Sequence, residues 1–409
     1  MLTQFEKDMI RNLVSTYMEY ASLPIQSEKI NLWKALNRGD MQRPMVVIDQ
    51  LPWNELVEDS LVPVITDPYW RNVEIGLRQK IYMWKNFPVD MVLDPFIKIP
   101  KVMSLSGYGL TPVIEELGAE DSTAKSKHFK RLLYTIDDVN KIKNNHITCD
   151  NNQTMQHEAE AVEYFGDLAP ARSYGHMFPL GLWDYLSKLM EVDEAYYEML
   201  DNPDLLHKAM DRLTASTISA IEDANKYEVN NDIANTCHCS YIYTDELLPA
   251  SGWGKGSTSD NCWAFGLAQL FTSVSPEMFK EFEMPYITRL AEYFGMIYYG
   301  CCERLDDRLE HVKKIPNLKK ISCSPWSNRE NFIQKIGSDL IMSYKPTPAS
   351  IAVSAFDRDS VYKDIKDTCL SAKKNNVNLE IILKDVSTVN NKPERLIEWA
   401  DIVMEIVQA

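Results

Sequence analysis

The sequence predicts an α/β fold, specifically a (β/α)8 TIM barrel with an N-terminal helical extension and long loops at its C-terminal face. Two observations carry this prediction: short apolar, β-prone runs recur along the chain, and segments with the apolar spacing of helices separate them. Strands that alternate with helices form a parallel sheet, and eight such units close most economically into a barrel. The length of 409 residues and a hydrophobic content of 45% are sufficient for a large core.

Apolar runs that end in polar residues are the predicted barrel strands. They begin at Pro44, Val89, Leu168, Asn231, Gly295, Leu318, Asp339 and Leu379. Between them, an Asn-Pro pair at Asn202 and a Ser-Pro pair at Ser275 mark the starts of helices. Polar residues also precede the helical patterns that begin after Ser327 and Asn391, and the last of these helices would complete the barrel.

The chain is expected to form one catalytic barrel domain over residues 44–409, preceded by a helical extension over residues 1–43. Two insertions interrupt the simple repeat. The segment near residues 110–152 is charged and is expected to form a hairpin off the barrel, and the segment near residues 241–261 is expected to be a long loop at the mouth. The GWGKG of the second insertion matches neither a P-loop nor a dinucleotide fingerprint, so we interpret it as a lid or surface loop.

The charge balance excludes several classes of partner. Lys and Arg number 43 against 59 Asp and Glu, the net charge is −16, and no dense basic block occurs, so nucleic acids and anionic membranes are poor partners. The N-terminus lacks the apolar core of a signal peptide, and no stretch approaches about 18 apolar residues. We therefore expect a cytoplasmic protein whose eight cysteines are reduced thiols.

Residues at the C-terminal ends of barrel strands face a common mouth, so the polar residues at these positions are the candidate site residues. They are Asp49, Gln50, Trp53, Asp94, Arg172, Tyr174, His176, His238, Cys239, Cys301, Cys302, Glu303, Ser324, Trp326, Lys345, Lys384 and Asp385. Most of these side chains are of the types that bind metals or exchange protons.

The stretch GCCE, which starts at Gly300, is the most informative of these strand ends. In an extended strand Gly300 and Cys302 share one face, so we expect one thiolate in the mouth, with Glu303 reaching it from the loop. An open catalytic zinc site takes about three protein ligands, and Cys239 of the CHC segment is a further candidate. Two alternatives stay open: the thiols pack as small apolar groups, and the acidic residues neutralise buried lysines.

The segment SPEMFKEFEMPYITRLAEYFGMIYYGCCERLDD, Ser275 to Asp307, resembles one of the uroporphyrinogen decarboxylase superfamily. There a Ser-Pro-Glu helix with a Pro-Tyr pair leads into the fifth barrel strand. The segments KALNRGDMQRPMV and NPDLLHKAMDRLT are similar to further parts of that superfamily, and the resemblance extends from about Ile30 to the C-terminus. It implies a (β/α)8 barrel with its active site in the C-terminal mouth.

The resemblance is closer to the corrinoid-dependent methyltransferases of the superfamily than to its porphyrinogen decarboxylases. The decarboxylases carry an arginine-rich stretch after the first strand, where this chain has QLPWNEL with Glu55. The methyltransferases bind zinc through a His-x-Cys pair on the fifth strand and a cysteine after the eighth. Cys302 matches the first cysteine, but Gly300 stands at the histidine position and KDVST replaces the Gly-Cys of the family. Either the metal is lost, or zinc is held by an altered ligand set of Cys302, Glu303 and Cys239 or Asp385.

The resemblance therefore implies a methyltransferase that moves a methyl group from a methoxylated or N- or S-methylated small molecule to a corrinoid carried on a partner protein. No Asp-x-His-x-x-Gly corrinoid motif occurs in the chain, so the corrinoid would arrive on the partner. The expected proton donors are Glu303, Asp385 and His238. The expected substrate-binding residues are Trp53, Asp94, Arg172, Tyr174, Trp326, Lys345 and Lys384.

Two alternative functions would not involve methyl transfer. A metal-free decarboxylase or other lyase would hold carboxylates with Arg172, Lys345 and Lys384, and a non-catalytic binding protein would keep the barrel without the reaction. A barrel alone does not separate these functions. The sequence leaves open the methyl donor, the direction of the reaction and the oligomeric state, a homodimer included.

Overall fold

The computed structural model describes residues 1–117, 126–247 and 257–409, and it has a mixed α/β architecture. The strands are β1 Met45–Ile48, β2 Ile97–Pro100, β3 Met103–Leu105, β4 Ile114–Leu117, β5 Ser126–Phe129, β6 Ile147–Cys149, β7 Ala171–Tyr174, β8 Thr236–Cys237, β9 Ser240–Tyr241, β10 Trp263–Gly266, β11 Met296–Tyr299, β12 Leu318–Cys323, β13 Ile341–Tyr344 and β14 Asn378–Leu383. The helices are α1 Gln4–Ala21, α2 Pro24–Asn37, α3 Pro68–Asn86, α4 Ile136–Val139, α5 Asn151–Phe165, α6 Leu182–Leu186, α7 Val192–Asp201, α8 Pro203–Lys226, α9 Pro276–Phe282, α10 Met284–Ala291, α11 Leu309–Val312, α12 Arg329–Ile336, α13 Ala349–Ala352, α14 Arg358–Lys374 and α15 Glu394–Gln408.

A parallel sheet of six strands forms the centre of the fold, in the order β1-β14-β13-β12-β11-β10. The last strand pairs with the first, with Met45 opposite Glu380, as the seam of a barrel requires. Strands β2 and β7 form a separate parallel pair, and isolated bridges connect the region after β7 to Asn230 and to Phe265 of β10. Within the described residues these pairings do not join every strand into one ring. The α/β class and the parallel sheet are confirmed, and barrel closure stays a prediction.

Two of the predicted strands were wrong. The run from Val89 contains no strand, and β2 forms after it. The run from Asn231 forms only β8, which turns back antiparallel onto β9 because His238 and Cys239 adopt left-handed backbone conformations. Sequence reasoning also missed β10, whose WAFG run is short and directly follows the segment interpreted as a loop. The other six predicted runs contain β1, β7, β11, β12, β13 and β14.

The predicted helix starts are confirmed. Helix α8 begins at Pro203, and the hydroxyl of Ser275 accepts a hydrogen bond from the Met278 N–H at 3.2 Å to cap α9. The predicted hairpin in the first insertion is the antiparallel pair β4 and β5. In the second insertion, the GWGKG segment and Trp253 lie outside the described residues.

A buried ion pair lies on one face of the sheet and ties it to neighbouring elements. Lys320 Nζ of β12 lies 2.7 Å from Glu380 Oε2 of β14, and both side chains are fully buried. Ser240 of β9 accepts from the same ammonium at 2.6 Å, and the ring of Trp33 in α2 has its centre 5.3 Å from it. The indole of Trp33 in turn donates to the Asp90 carbonyl at 2.9 Å, so the N-terminal helices pack directly on the sheet region. No helix in the described part of the chain has the length and apolar character needed to cross a bilayer.

Candidate active site

The C-terminal edge of the sheet brings two thiols, an ammonium group and a carboxylate together. Cys301 Sγ, beyond β11, lies 3.1 Å from Lys384 Nζ, beyond β14. The same Nζ lies 3.0 Å from Asp385 Oδ2. Cys302 Sγ is 3.5 Å from Cys301 Sγ and 3.4 Å from Asp385 Oδ2. We call Cys301, Cys302, Lys384 and Asp385 the sulfur–ammonium site.

The backbone of Cys301 is held at both of its peptide groups. Its N–H donates to Glu303 Oε2 at 2.8 Å. Its carbonyl accepts from Ser322 Oγ at 2.7 Å and from Lys345 Nζ at 3.3 Å. Lys345 follows β13 and is 2% exposed. Burial and the charge of Lys384 lower the pKa of Lys345, while a negative charge on Cys301 raises it, so the Lys345 ammonium depends on the thiolate beside it. These contacts fix the sulfur against Lys384.

The charges of the group favour a thiolate on Cys301. A hydrogen bond from the Cys302 thiol lowers the pKa of Cys301 against the effect of burial, and His238 and Lys345 lower that pKa further. Burial lowers the pKa of Lys384, but the negative sulfur of Cys301 outweighs it, and the net shift of this pKa is upward. The hydrogen bond to Cys301 and burial raise the pKa of Cys302. The sulfur beside the ammonium therefore carries the charge.

His238 approaches this group from the two-residue loop between β8 and β9. His238 and Cys239 have φ angles of 46° and 69°, as a type I′ turn requires of both central residues. The imidazole stacks on Phe265 with ring centroids 4.9 Å apart, and a side-chain hydrogen bond connects it to Cys301. Burial and the charge of Lys345 lower the pKa of His238, so the ring is neutral at neutral pH.

Several residues at the strand ends around this site have left-handed backbone conformations. Gln50 follows β1 with φ 52°, Gly300 follows β11 with φ 94°, and Asp385 lies just beyond β14 with φ 55°. Such conformations are costly for residues other than glycine, and they cluster at functional sites. At Gly300 a Cβ would lie 2.5 Å from Leu305 Cδ1, so the backbone and the available space both require glycine.

Carboxyl groups form a second cluster near the sulfur–ammonium site. Glu303 Oε1 accepts the Ala268 N–H at 3.0 Å, and Glu283 accepts the Tyr299 hydroxyl at 3.0 Å. Burial raises the pKa of Asp184, Glu283 and Glu303, and the charge of Glu303 raises the first two further. The pKa of Asp184 rises to about 7, so this carboxyl group is about half protonated at neutral pH.

The predicted zinc ligands Cys302, Glu303 and Cys239 do not fit a zinc ion in this arrangement. Each carboxylate oxygen of Glu303 accepts a backbone N–H group, so the backbone already fixes the direction of this side chain. At Gly300, the histidine position of the resembling family, a side chain would clash. In the described part of the chain, no three His, Cys, Asp or Glu side chains are arranged to hold a metal. We therefore derive the chemistry from the sulfur and ammonium groups.

The predicted aromatic residues are not among the contacts of the sulfur–ammonium site. Trp53 packs edge-on against Tyr82, with ring centroids 6.1 Å apart. Trp326 follows β12 and is 72% exposed. Neither tryptophan is placed to bind a molecule at Cys301.

Three other predicted substrate-binding residues line two cavities. Tyr174 lines the larger, of about 390 Å³, which also contains Asp49 and Cys239. Asp94 and Arg172 line the smaller, of about 270 Å³. The structure thus brings Lys345, Lys384, Asp385, His238 and Cys302 to Cys301, and it places Asp94, Arg172 and Tyr174 on the walls of these two cavities.

Sequence reasoning favoured Cys302 as the central thiol, whereas the structure is centred on Cys301. The prediction used the two-residue alternation of an extended strand, but β11 ends at Tyr299 and Gly300 is left-handed. A glycine directly before two cysteines was the available signal for this break. Ser322 and Asp184 stood out through no sequence pattern, because only the fold brings them to this region.

Comparisons with known proteins show similarity in fold alone. No family model matches the sequence, and no curated protein matches it. Among solved structures, the chain is similar to a methyltransferase from Methanosarcina mazei, with a TM-score of 0.50 and 12% sequence identity. The match covers 92% of this chain and 98% of the other. The chain therefore shares, over nearly its whole length, the fold of a methyltransferase, and membership of the uroporphyrinogen decarboxylase superfamily stays a prediction.

Proposed function

We propose that this chain is a methyltransferase that takes a methyl group from a small methylated compound and passes it to a corrinoid on a partner protein. The observation that carries the proposal is the 3.1 Å contact between Cys301 Sγ and Lys384 Nζ at the C-terminal edge of the parallel sheet. Active sites of barrel-type α/β enzymes lie at this edge. The fold shared with a methyltransferase supports the same reaction class.

A thiolate is suited to this reaction because sulfur anions are strong nucleophiles toward carbon. The thiolate, and not the thiol, is the reactive form, and adjacent cations increase its population. Lys384 and Lys345 provide these cations for Cys301. Asp385 holds the Lys384 ammonium at 3.0 Å, so we assign Asp385 a positioning role.

The first half-reaction transfers the methyl group to sulfur. The electron pair of the Cys301 thiolate forms a bond to the methyl carbon, and the bond between that carbon and the donor heteroatom breaks with its pair on the heteroatom. Once Cys301 is a neutral thioether, the Lys384 ammonium has lost its counter-charge. Lys384 then gives a proton to the departing heteroatom, which leaves as a neutral compound.

The second half-reaction restores the site. The methyl group leaves Cys301 for the reduced cobalt of the partner corrinoid, which is the acceptor substrate, and the carbon–sulfur electron pair stays on sulfur. Lys384 takes up one proton from solvent, so the thiolate and ammonium are paired again. Over both steps the donor loses a methyl group and gains a proton.

The decarboxylase alternative gains less from this geometry. It requires cations that are free to hold substrate carboxylates, but Lys345 and Lys384 already contact Cys301. Arg172, the third predicted cation, lies with its guanidinium 4.3 Å from the centre of the Phe96 ring. The three groups are therefore not arranged around one substrate carboxylate.

The proposal is tested in reverse with free methylcobalamin under anaerobic conditions, followed by the absorption of cob(I)alamin. We expect the wild-type chain to release about one equivalent per chain, Cys301→Ser to release none, and Lys384→Met to react at least about tenfold more slowly. Cys369→Ser is the matched control, because this thiol lies on α14 away from the site, and it should react like the wild type. Equal release by Cys301→Ser and wild type, or no release by the wild type, would overturn the proposal.

A further inference from the structure

The cavity of about 390 Å³ beside the sulfur–ammonium site has the size of a small-molecule pocket. Helix α3, β2 and the hairpin of β8 and β9 supply much of its wall, which is largely apolar and includes the aromatic rings of Tyr17, Phe96, Tyr174 and Tyr241. Into this wall α3 places Lys80 and β2 places Lys98. The wall also contains Asp49 and three asparagine side chains, and the two ammonium groups require anionic partners.

Only one of these ammonium groups has an anionic partner. Lys98 Nζ lies 3.0 Å from Asp94 Oδ2. The two Asp94 oxygens also accept from Tyr243 at 2.7 Å and from Asn235 at 2.8 Å, so this carboxylate is fully engaged. Lys80 makes no hydrogen bond or ion pair with any residue that the structure describes. Burial, and then repulsion by Lys98, lower the pKa of Lys80 to about 8, and the charge of Asp94 only partly offsets this shift.

Asp49, the acidic residue on the wall of this cavity, lies in a different electrostatic environment from Lys80. Asp49 raises the pKa of Cys239, whereas the charges that act on Lys80 are those of Lys98 and Asp94. Lys384 and Lys345 of the neighbouring site also act on Cys239. The cavity therefore has a cationic region at Lys80 and Lys98, and a second wall region at Cys239, on which the charges of Lys384 and Lys345 also act.

We infer that this cavity binds the methyl donor, and that the donor is a small carboxylate with an apolar body whose charge contacts Lys80 and Lys98. This inference rests on the proposed function, since it orients the donor between the lysines and Cys301. One negative charge matches the half-buried Lys80 ammonium, which has no ion-pair partner among the described residues, whereas a dianion such as a phosphate monoester would bring a second charge without a cation to pair with it. The apolar wall accepts the body of the molecule.

The inference is tested by calorimetric titration with benzoate as the probe, with benzamide and phenyl phosphate for comparison. We expect benzoate to bind the wild type, and to bind Lys80→Met at least about tenfold more weakly, because a buried charge pair is lost. Lys80→Arg retains the charge and should bind, which separates loss of the cation from a defect in folding. Lys85→Met is the matched control, since this exposed lysine lies on the same helix.

Three results would overturn the inference: no binding of benzoate to the wild type, equal binding by Lys80→Met, or tighter binding of benzamide or phenyl phosphate than of benzoate. The Cys301→Ser variant separates this inference from the proposed function. It should bind benzoate like the wild type while it fails to react with methylcobalamin. Benzoate binding without methyl uptake would contradict only the proposed function, and methyl uptake without benzoate binding would contradict only the carboxylate site.

Discussion

The Nζ atom of Lys384 and the Sγ atom of Cys301 lie 3.1 Å apart, and the two residues are 3% and 5% exposed. A buried ammonium and a buried thiolate each require the opposite charge, because water does not solvate them. The pair forms where the ends of β11 and β14 meet, with β12 and β13 between them in the sheet. The fold therefore stabilises a charged form of sulfur at the C-terminal edge of the sheet, where we propose that the methyl donor reacts.

Replacing Lys384 should return Cys301 to the thiol form. In Lys384→Met the nearest cation is lost, so the pKa of Cys301 should rise and most of its thiolate ultraviolet absorbance near neutral pH should disappear. The Cys301→Ser variant gives the ultraviolet absorbance of the protein without this thiolate. Lys373→Met, an exposed change at the end of α14, should leave the absorbance unchanged. Full thiolate absorbance in Lys384→Met would show that another group stabilises the anion.

Gly300→Ala should destabilise the protein by about 2–4 kcal/mol, because it combines a strained backbone with overpacking. The added Cβ would lie 2.5 Å from Leu305 Cδ1 and 3.1 Å from Ser322 Cβ, at φ 94°. Gly76→Ala in α3 is the control, since nothing lies within 4 Å of its Cβ position and alanine favours a helix. That change should stabilise by about 0.5–1 kcal/mol. Denaturant unfolding measures both, and a tolerated Gly300→Ala would contradict the conformation described for the GCC segment.

Replacing only one residue of the Lys320–Glu380 ion pair should destabilise the protein more than replacing both residues. Lys320→Met leaves a buried carboxylate without its cation, so we expect a loss of about 3–5 kcal/mol in the free energy of unfolding. The double change Lys320→Met with Glu380→Gln should recover much of this loss. Urea unfolding of the single and double variants gives the free energies of unfolding for this double-mutant cycle. A double variant as unstable as the single one would show that packing, and not charge, dominates there.

The stability of the protein should depend on pH through Asp184. Burial and the charge of Glu303 raise the pKa of Asp184 from 3.8 to about 7, so the folded state holds a proton that the unfolded chain releases. Its contribution to stability is therefore complete below about pH 4 and is lost as pH rises through about 7. Relative to Asp184→Asn, the wild type should lose about 1–2 kcal/mol over this window, less than a full conversion of the shift because the group retains some solvent contact. Asp201→Asn, an exposed change, should follow the wild type, and parallel curves for wild type and Asp184→Asn would contradict the assignment.

The fold was predictable where strands are buried on both faces. In β14 every residue is buried, so LEIIL forms a continuous apolar run with one charged position, Glu380, that pairs internally. Runs of this kind mark strands without reference to tertiary structure. The prediction of a barrel strand from Asn231 was wrong because the composition of this segment is typical of a strand. Two residues with left-handed backbone conformations turn the segment into a hairpin. Turn geometry of this kind at His and Cys has no strong sequence signal.

The site was predictable in its location and only partly in its contacts. The YKP and LKD segments placed Lys345 and Lys384 at the mouth because both directly follow strands. The choice between Cys301 and Cys302 depended on a backbone break at Gly300, and the orientation of Glu303 depended on backbone donors. Lys80 lies in the middle of α3, where lysine is common on exposed surfaces, so no local pattern distinguishes it.

The most direct test of the account is tandem mass spectrometry of the chain after anaerobic incubation with methylcobalamin. The account predicts one added methyl group on the sulfur of Cys301 in the wild type and in Cys302→Ser, and none in Cys301→Ser. A methyl group on Cys302 or on any other residue in place of Cys301, or an unmodified wild-type chain, would contradict it.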